Sequence, residues 1–361
     1  MRVGLVLEQC LAPVPGGTGR YSREIALALR RRAPEGSAVA GVTAWHRELL
    51  RVPGVPAFRL AVPRRVLVAL WERGLGPGIG GDVVHALTPL APPRRRTPLV
   101  VTVHDAVPWT HPETLTARGV RWHRTAVAQA ARTADAIVVP TRAVADELAR
   151  HVSLGDRVRV VGEGVSDELV LPADADARAA RLSLPERYLL TVATLEPRKG
   201  LSLLLEQLAR PAAPALPLLV AGQPGWGGLD LRAEARRLGL GERVQLLGRV
   251  SDADLAVLLS RATALVVPSR AEGFGLPLLE AMSLGTPVVT SPAAALVEVA
   301  GGASVVAPDD RLAEVLREVA EDGDLRSRLS AAGRLRAADF SWDAAADALW
   351  LLYREIAGGR A

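Results

Sequence analysis

Residues 264–289 read ALVVPSRAEGFGLPLLEAMSLGTPVV, and the order of residue types in this stretch decides the fold. Ala264 to Val267 is a short apolar run with the length and β-branched content of a buried strand. Pro268 to Leu276 reads as a loop in which Gly273 and Gly275 flank Phe274. Pro277, with its fixed φ and missing N–H, suits the first turn of a helix expected from about Pro277 to Leu284. Gly285 ends that helix, and Thr286 to Thr290 reads as the next strand. A strand, a glycine loop and a helix in this order leave free N–H groups at the helix start. Such an end favours an anion or a hydroxyl-rich ligand.

Two carboxylates bracket that end, Glu272 on the loop and Glu280 about one turn into the helix. An ionised carboxylate only accepts hydrogen bonds, and one bridging two neighbouring hydroxyls is a common way to hold a sugar or a ribose. The segment Glu272-Gly-Phe-Gly-Leu-Pro-Leu-Leu-Glu280 closely resembles the Glu, seven residues, Glu signature of retaining nucleotide-sugar glycosyltransferases. The resemblance is to glycosyltransferase family 4 (group 1), which includes bacterial mannosyltransferases. It implies an α/β chain of the GT-B type: two Rossmann-like parallel-sheet domains facing a central cleft. It also implies that Glu272 and the backbone of Gly273, Phe274, Gly275 and Leu276 hold the donor sugar, and that Glu280 holds the ribose.

Composition agrees with two globular domains. The chain has 361 residues, 49% hydrophobic and 23% charged, enough for two separate cores. No apolar run has the length of a membrane span, and Met1 leads directly into a strand-like segment, so a cytoplasmic protein is expected. The lone cysteine, Cys10, forms neither an internal disulfide nor a multi-cysteine metal site. Net charge is +5, but the arginines are spread over many helices and aromatics are only 4%, which argues against a nucleic-acid partner. Lys199 is the only lysine. Because Gly200 follows it, a Walker phosphate loop is excluded.

Along the chain, Arg2 to Leu7 reads as a first strand, Pro13 to Gly19 as a loop and Arg20 to Arg32 as a helix. The Gly16-Gly17 pair resembles the family's loop that approaches the donor diphosphate. A helix around Arg64 to Arg73 places Val66, Leu67, Leu70 and Trp71 on one face, with Arg64 and Arg65 beside it. That is the pattern of a helix packed on its own domain, or of a surface meeting a lipid-linked acceptor at the inner face of a membrane. Pro98 to Val103 delivers His104-Asp105 at a strand end, where ligands of open parallel sheets gather. The segment Val103 to Pro108 resembles the family's donor-side loop, which implies that His104 contacts the transferred sugar. Domains are expected at 1–165 and 187–340, joined by a Pro- and Asp-punctuated connection over 166–186. A last helix within 341–361 is expected, by resemblance, to pack back on the first domain.

In a chain that uses arginine almost everywhere, Lys199 stands out in Thr194-Leu-Glu-Pro-Arg-Lys-Gly200, between a strand and a helix. Arg198 and Lys199 together could neutralise a diphosphate leaving group. The loop resembles the family's diphosphate clamp, although many members carry arginine where Thr194 stands. Asp-x-Asp begins at Asp174, Asp252 and Asp322, and all three read as capping or solvated positions, not as metal ligands. The implied activity is metal-independent, cofactor-free transfer from a nucleotide sugar, with GDP-mannose as the expected donor. The acceptor would be a sugar, a lipid-linked or a small-molecule hydroxyl. A nucleotide-sugar 2-epimerase and a catalytically silent nucleotide-sugar-binding subunit share the architecture and stay open at this point.

Overall fold

Apolar runs of four or five residues recur along the chain. In the computed structural model, which describes residues 1–93 and 96–358, they form strands that are buried on both faces. Runs of that kind belong in parallel sheets covered on both sides by helices. Two compact units result, Met1–Gly164 with the segment from Ser341 onward, and Val165–Phe340.

The first unit begins with β1 (Arg2–Val6), α1 (Gly16–Arg31), β2 (Ala38–Trp45), β3 (Ala57–Pro63) and α2 (Arg64–Trp71). It continues with β4 (Val83–Ala86), β5 (Leu99–Thr102), α3 (Val107–Thr110) and α4 (Ala117–Thr133). β6 (Ala136–Val139), α5 (Arg142–Ala149) and β7 (Val158–Val160) complete its sheet. The strand order is β3-β2-β1-β4-β5-β6-β7, all parallel, so the order reverses direction between β1 and β4. On α2, Leu67 and Trp71 are buried in the unit's core while Val66 is 49% exposed, so packing accounts for only part of its apolar face.

The second unit holds α6 (Ala175–Arg181), β8 (Leu189–Val192), α7 (Leu201–Leu208), β9 (Leu218–Ala221) and α8 (Leu231–Arg237). Next come β10 (Val244–Gly248), α9 (Asp252–Arg261), β11 (Ala264–Val267), α10 (Leu276–Ser283) and β12 (Val288–Thr290). α11 (Ala294–Ala300), β13 (Val305–Val306), α12 (Leu312–Glu321) and α13 (Gly323–Ala337) finish it. Its sheet runs β10-β9-β8-β11-β12-β13, again parallel, with the reversal between β8 and β11. In doubly wound sheets ligands bind outside the strand ends at such a reversal.

The chain re-enters the first unit at Ser341 and closes with α14 (Trp342–Gly358). This helix lies on α1: the Trp350 indole N–H donates to the Leu29 carbonyl at 3.0 Å, and Arg31 and Arg32 pair with Asp343 and Asp347. Gly359 to Ala361, part of the expected last helix, lie outside the described residues. Among the described residues no helix is long and apolar enough to cross a membrane.

Two expectations need correction. Residues 166–186 do not form a bare connection. They belong to the second unit and contain α6, which buries Ala179 and is tied to α9 by Arg178 and Arg181 on Asp254 at 2.9 and 2.6 Å. Of the Pro and Asp residues that suggested a connection, Pro172, Asp174 and Pro185 flank this short helix and Asp176 lies in its first turn. Nor is Pro13 to Gly19 all loop. α1 starts at Gly16, with Pro15 at its N-cap, so both glycines of the pair lie in the first helical turn.

Candidate functional site

At the reversal in the second sheet, two strand ends lie side by side and each feeds a loop. After β8 the chain runs through Thr194 to Gly200, with Pro197–Lys199 forming a single 3-10 turn. After β11 it runs from Pro268 to Gly275. The loops are joined through the backbone: the Arg270 N–H donates to the Arg198 carbonyl at 2.9 Å. Gly200 makes the approach feasible. Its φ is +67°, and a Cβ there would stand 2.0 Å from the Pro268 carbonyl oxygen. Gly200→Ala is therefore expected to cost about 1–3 kcal/mol of stability. Thermal melting of the variant checks this, and an unchanged midpoint would show that the loops have slack.

Between the loops sits a charge cluster. Lys199 Nζ donates to Glu272 Oε1 at 2.6 Å, and Arg198 NH1 donates to Glu272 Oε2 at 2.9 Å. Ser269 Oγ donates to the same Oε1 at 2.7 Å, and Arg198 also reaches the Ala271 carbonyl at 3.0 Å. Burial alone would push the Glu272 carboxyl up. The Lys199 and Arg198 charges, with the hydrogen bonds from Lys199 and Ser269, outweigh it and hold the group at about 2. Burial, then the neighbouring Arg198 charge, draw the Lys199 ammonium below its usual value, against the pull of Glu272. Lys199 carries three N–H donors, more than its bond to Glu272 uses, and a compact ammonium of this kind can take up phosphate oxygens.

Glu280 lies in the second turn of α10 and is buried. Gly275 caps that helix at φ +100°, where a Cβ would stand 2.5 Å from the Leu296 side chain. The Phe274 side chain turns inward onto Phe340, with ring centroids 5.5 Å apart, and Leu276 is buried as well. For these two residues, only backbone N–H groups are left to meet a ligand. Of the Asp-x-Asp residues, Asp322 accepts from the Leu325 N–H as an N-cap, and Ser251 beside Asp252 caps α9. Asp174 pairs with Arg178. Among the described residues no group of three or more His, Cys, Asp and Glu converges as a metal site requires.

The first unit carries the other candidates. Gly17 has open space around it, whereas Gly19 is packed on Pro15. His104 sits just past β5, and its Nε2 lies 2.9 Å from the Leu87 carbonyl oxygen. A carbonyl only accepts, so Nε2 carries the proton and Nδ1 is the acceptor. Nδ1 lies 3.9 Å from Glu163 Oε1. Burial lowers the His104 pKa and keeps the ring neutral.

The structure brings Arg198, Lys199 and Glu272 into one cluster, whereas sequence reading set Arg198 and Lys199 on the diphosphate and Glu272 separately on the sugar. That reading missed Ser269, whose position immediately beyond a strand end was the available signal. It also missed Tyr21 and Glu163 around His104, and neither has a local motif that marks it.

The family described as Glycosyl transferases group 1 matches residues 173–336, and the one described as Glycosyltransferase Family 4 matches residues 15–169. The chain is 30% identical over 306 residues to O-antigen chain mannosyltransferase B of Escherichia coli, covering 80% of this chain and 77% of that one. It is 36% identical over 246 residues to D-inositol 3-phosphate glycosyltransferase 1 of Catenulispora acidiphila, covering 63% of this chain but 59% of that relative. In structure it is similar to sucrose-phosphate synthase of Thermosynechococcus elongatus, with a TM-score of 0.82 at 23% identity over 99% of this chain and 100% of that one. It is also similar to the Anabaena protein Alr3699/HepE in complex with UDP-glucose, with a TM-score of 0.72 at 20% identity over 100% and 99% of the two chains.

Proposed function

Because the chain belongs to the group 1, family 4 glycosyltransferases, we propose that it moves a sugar from a nucleotide-diphosphate sugar to an acceptor hydroxyl. The observation that carries this reading is the Arg198–Lys199–Glu272 cluster at the strand-order reversal between β8 and β11. When the bond from the anomeric carbon to the phosphate oxygen breaks, negative charge grows on the diphosphate. Fixed cations aimed at that oxygen stabilise the transition state more than the ground state. The new bond forms to the acceptor oxygen on the face the diphosphate leaves, and the acceptor's proton passes to a phosphate oxygen. Configuration is thereby retained. Glu280 serves the ribose, and His104 Nδ1 accepts from a hydroxyl of the transferred sugar.

Mannose from GDP-mannose is the donor favoured by the relative named a mannosyltransferase, and UDP-glucose is the alternative favoured by the Anabaena complex. Incubating the chain with each labelled donor and a panel of hydroxyl acceptors tests the reaction, and the anomeric coupling of the product reads its stereochemistry. An inverted product would overturn the retaining course. Epimerised donor without transfer would replace the transferase reading altogether.

On this reading the leaving group is neutralised by side chains, so turnover is expected to persist at full rate in excess chelator. Activity abolished by chelator and restored only by manganese or magnesium would overturn this expectation.

A further inference from the structure

His104 is gripped from behind by a buried chain of side chains that the transfer chemistry does not itself require. Tyr353 on α14 places its hydroxyl 2.6 Å from His85 Nδ1. His85 Nε2 lies 2.8 Å from Thr102 Oγ1, which lies 3.4 Å from the Tyr21 hydroxyl. The Tyr21 ring then meets His104 edge-on, with centroids 4.7 Å apart and planes at 82°. A second contact from α14 reaches the same tyrosine: Trp342 packs on Tyr21 at 5.7 Å. Tyr353 and His85 are fully buried, and Thr102 and Tyr21 are nearly so.

We propose that α14 positions His104 through this chain, with Tyr353 and His85 as positioning residues for the sugar-contacting histidine. The proposal rests on the reading of His104 given above.

Three features carry it. First, His85 is bonded at both nitrogens, and burial holds its pKa at about 3, so at neutral pH it is a neutral linker, one nitrogen donating and the other accepting. Reversing either bond reverses the other, so the chain is a coupled unit. Second, the geometry is set by two neighbouring strands. β4 presents the His85 ring and, two residues on, the Leu87 carbonyl that fixes the His104 tautomer. β5 presents Thr102 and, two residues on, His104 itself. Third, the ring that touches His104 is the one that α14 contacts both through Trp342 and, via His85 and Thr102, through Tyr353. A small rotation of Tyr21 therefore moves the imidazole, and displacements of about 1 Å at a reacting centre can cost on the order of a hundredfold in rate.

Tyr353→Phe deletes one hydroxyl and keeps the ring. With the donor that the chain turns over, kcat is expected to fall roughly fivefold or more, while donor KM and calorimetric affinity for the nucleoside diphosphate stay within about twofold. In a His104→Ala background the same substitution should produce no further fall, because its effect passes through the imidazole. An unchanged kcat, or an equal fold-loss in both backgrounds, would overturn the proposal, since a merely structural tyrosine acts regardless of His104. Histidine ¹H–¹⁵N spectra of the unliganded chain give a second reading that needs no turnover. Tyr353→Phe should shift the His104 ring resonances, because the edge-on Tyr21 ring moves while the Leu87 carbonyl still holds the Nε2–H tautomer, and an unchanged His104 signal would count against the chain of contacts. If His104→Ala itself leaves transfer intact, the sugar-contact reading fails, and the spectra still decide whether α14 sets the ring.

Discussion

Replacing Lys199 with alanine is expected to lower turnover at saturating donor by about a hundredfold or more. Removing one preorganised donor to a developing oxyanion costs on the order of 3 kcal/mol, and here the donor carries a full charge in a buried site. Arg198→Ala should fall in the same range. Arg198 also holds the Ala271 carbonyl, so its loss loosens the second loop as well. Neither substitution should greatly weaken contacts to the neutral sugar, so the loss belongs in kcat more than in KM. Steady-state kinetics over a donor range checks this, and near-wild-type turnover in both variants would remove the cluster from the reaction. The same cluster sets an acid limit. The Glu272 carboxyl is depressed from an ordinary 4.5 to about 2, so the unfolded chain binds its proton first. Its contribution to stability is complete above about pH 4.5 and is lost as pH falls towards 2. In Lys199→Ala that window should narrow from below, because the largest force opposing burial of the carboxylate is gone.

The stretch 264–289 was legible because three local rules agree there: an apolar run, glycines at a turn and a proline in a first helical turn. The observed β11 and α10 fall within a residue of the expected bounds. Where such rules conflict, sequence reading erred. Gly16 and Gly17 read as loop by propensity, yet they stand at the start of α1, where Gly16 takes a left-handed φ of +58° and the Gly19 N–H donates to the Pro15 carbonyl at 2.9 Å. Residues 166–186 read as a connection because Pro and Asp outweigh a short Ala- and Arg-rich run. That run forms α6, which buries Ala179 and is tied by Arg178 and Arg181 to Asp254, seventy-odd residues away. The backbone of Phe274 was grouped with the donor-binding residues by resemblance to the family's motif, which says nothing of its ring. Its partner Phe340 is distant in sequence, so nothing local shows that the ring faces inward. The cage around His104 was illegible for the same reason: Tyr21 lies on α1, Leu87 just past β4 and Glu163 just past β7, and only the fold collects them.

The two glutamates that bracket the α10 start should fail in opposite ways. Glu280 is buried in the helix and, on the proposed reading, serves the unreactive ribose. Glu280→Ala is expected to weaken the free nucleoside diphosphate and the intact donor alike. The loss of a charged acceptor should cost roughly 1.5–3 kcal/mol in each case. Glu272→Ala removes instead the carboxylate that neutralises Lys199 and Arg198. Two cations are then left side by side, and an arriving diphosphate meets more positive charge, so nucleoside diphosphate affinity should hold or rise. Donor turnover should nevertheless fall by about a hundredfold, because the cations lose the anchor that aims them and the sugar loses its carboxylate contact. Calorimetry with the diphosphate and with the full donor, on both variants, supplies the comparison. Equal losses for both ligands in both variants would mean that the glutamates only shape the loop. Diphosphate binding hurt more by Glu272→Ala than by Glu280→Ala would mean that the donor lies the other way round, with its ribose at Glu272 and its sugar towards Glu280.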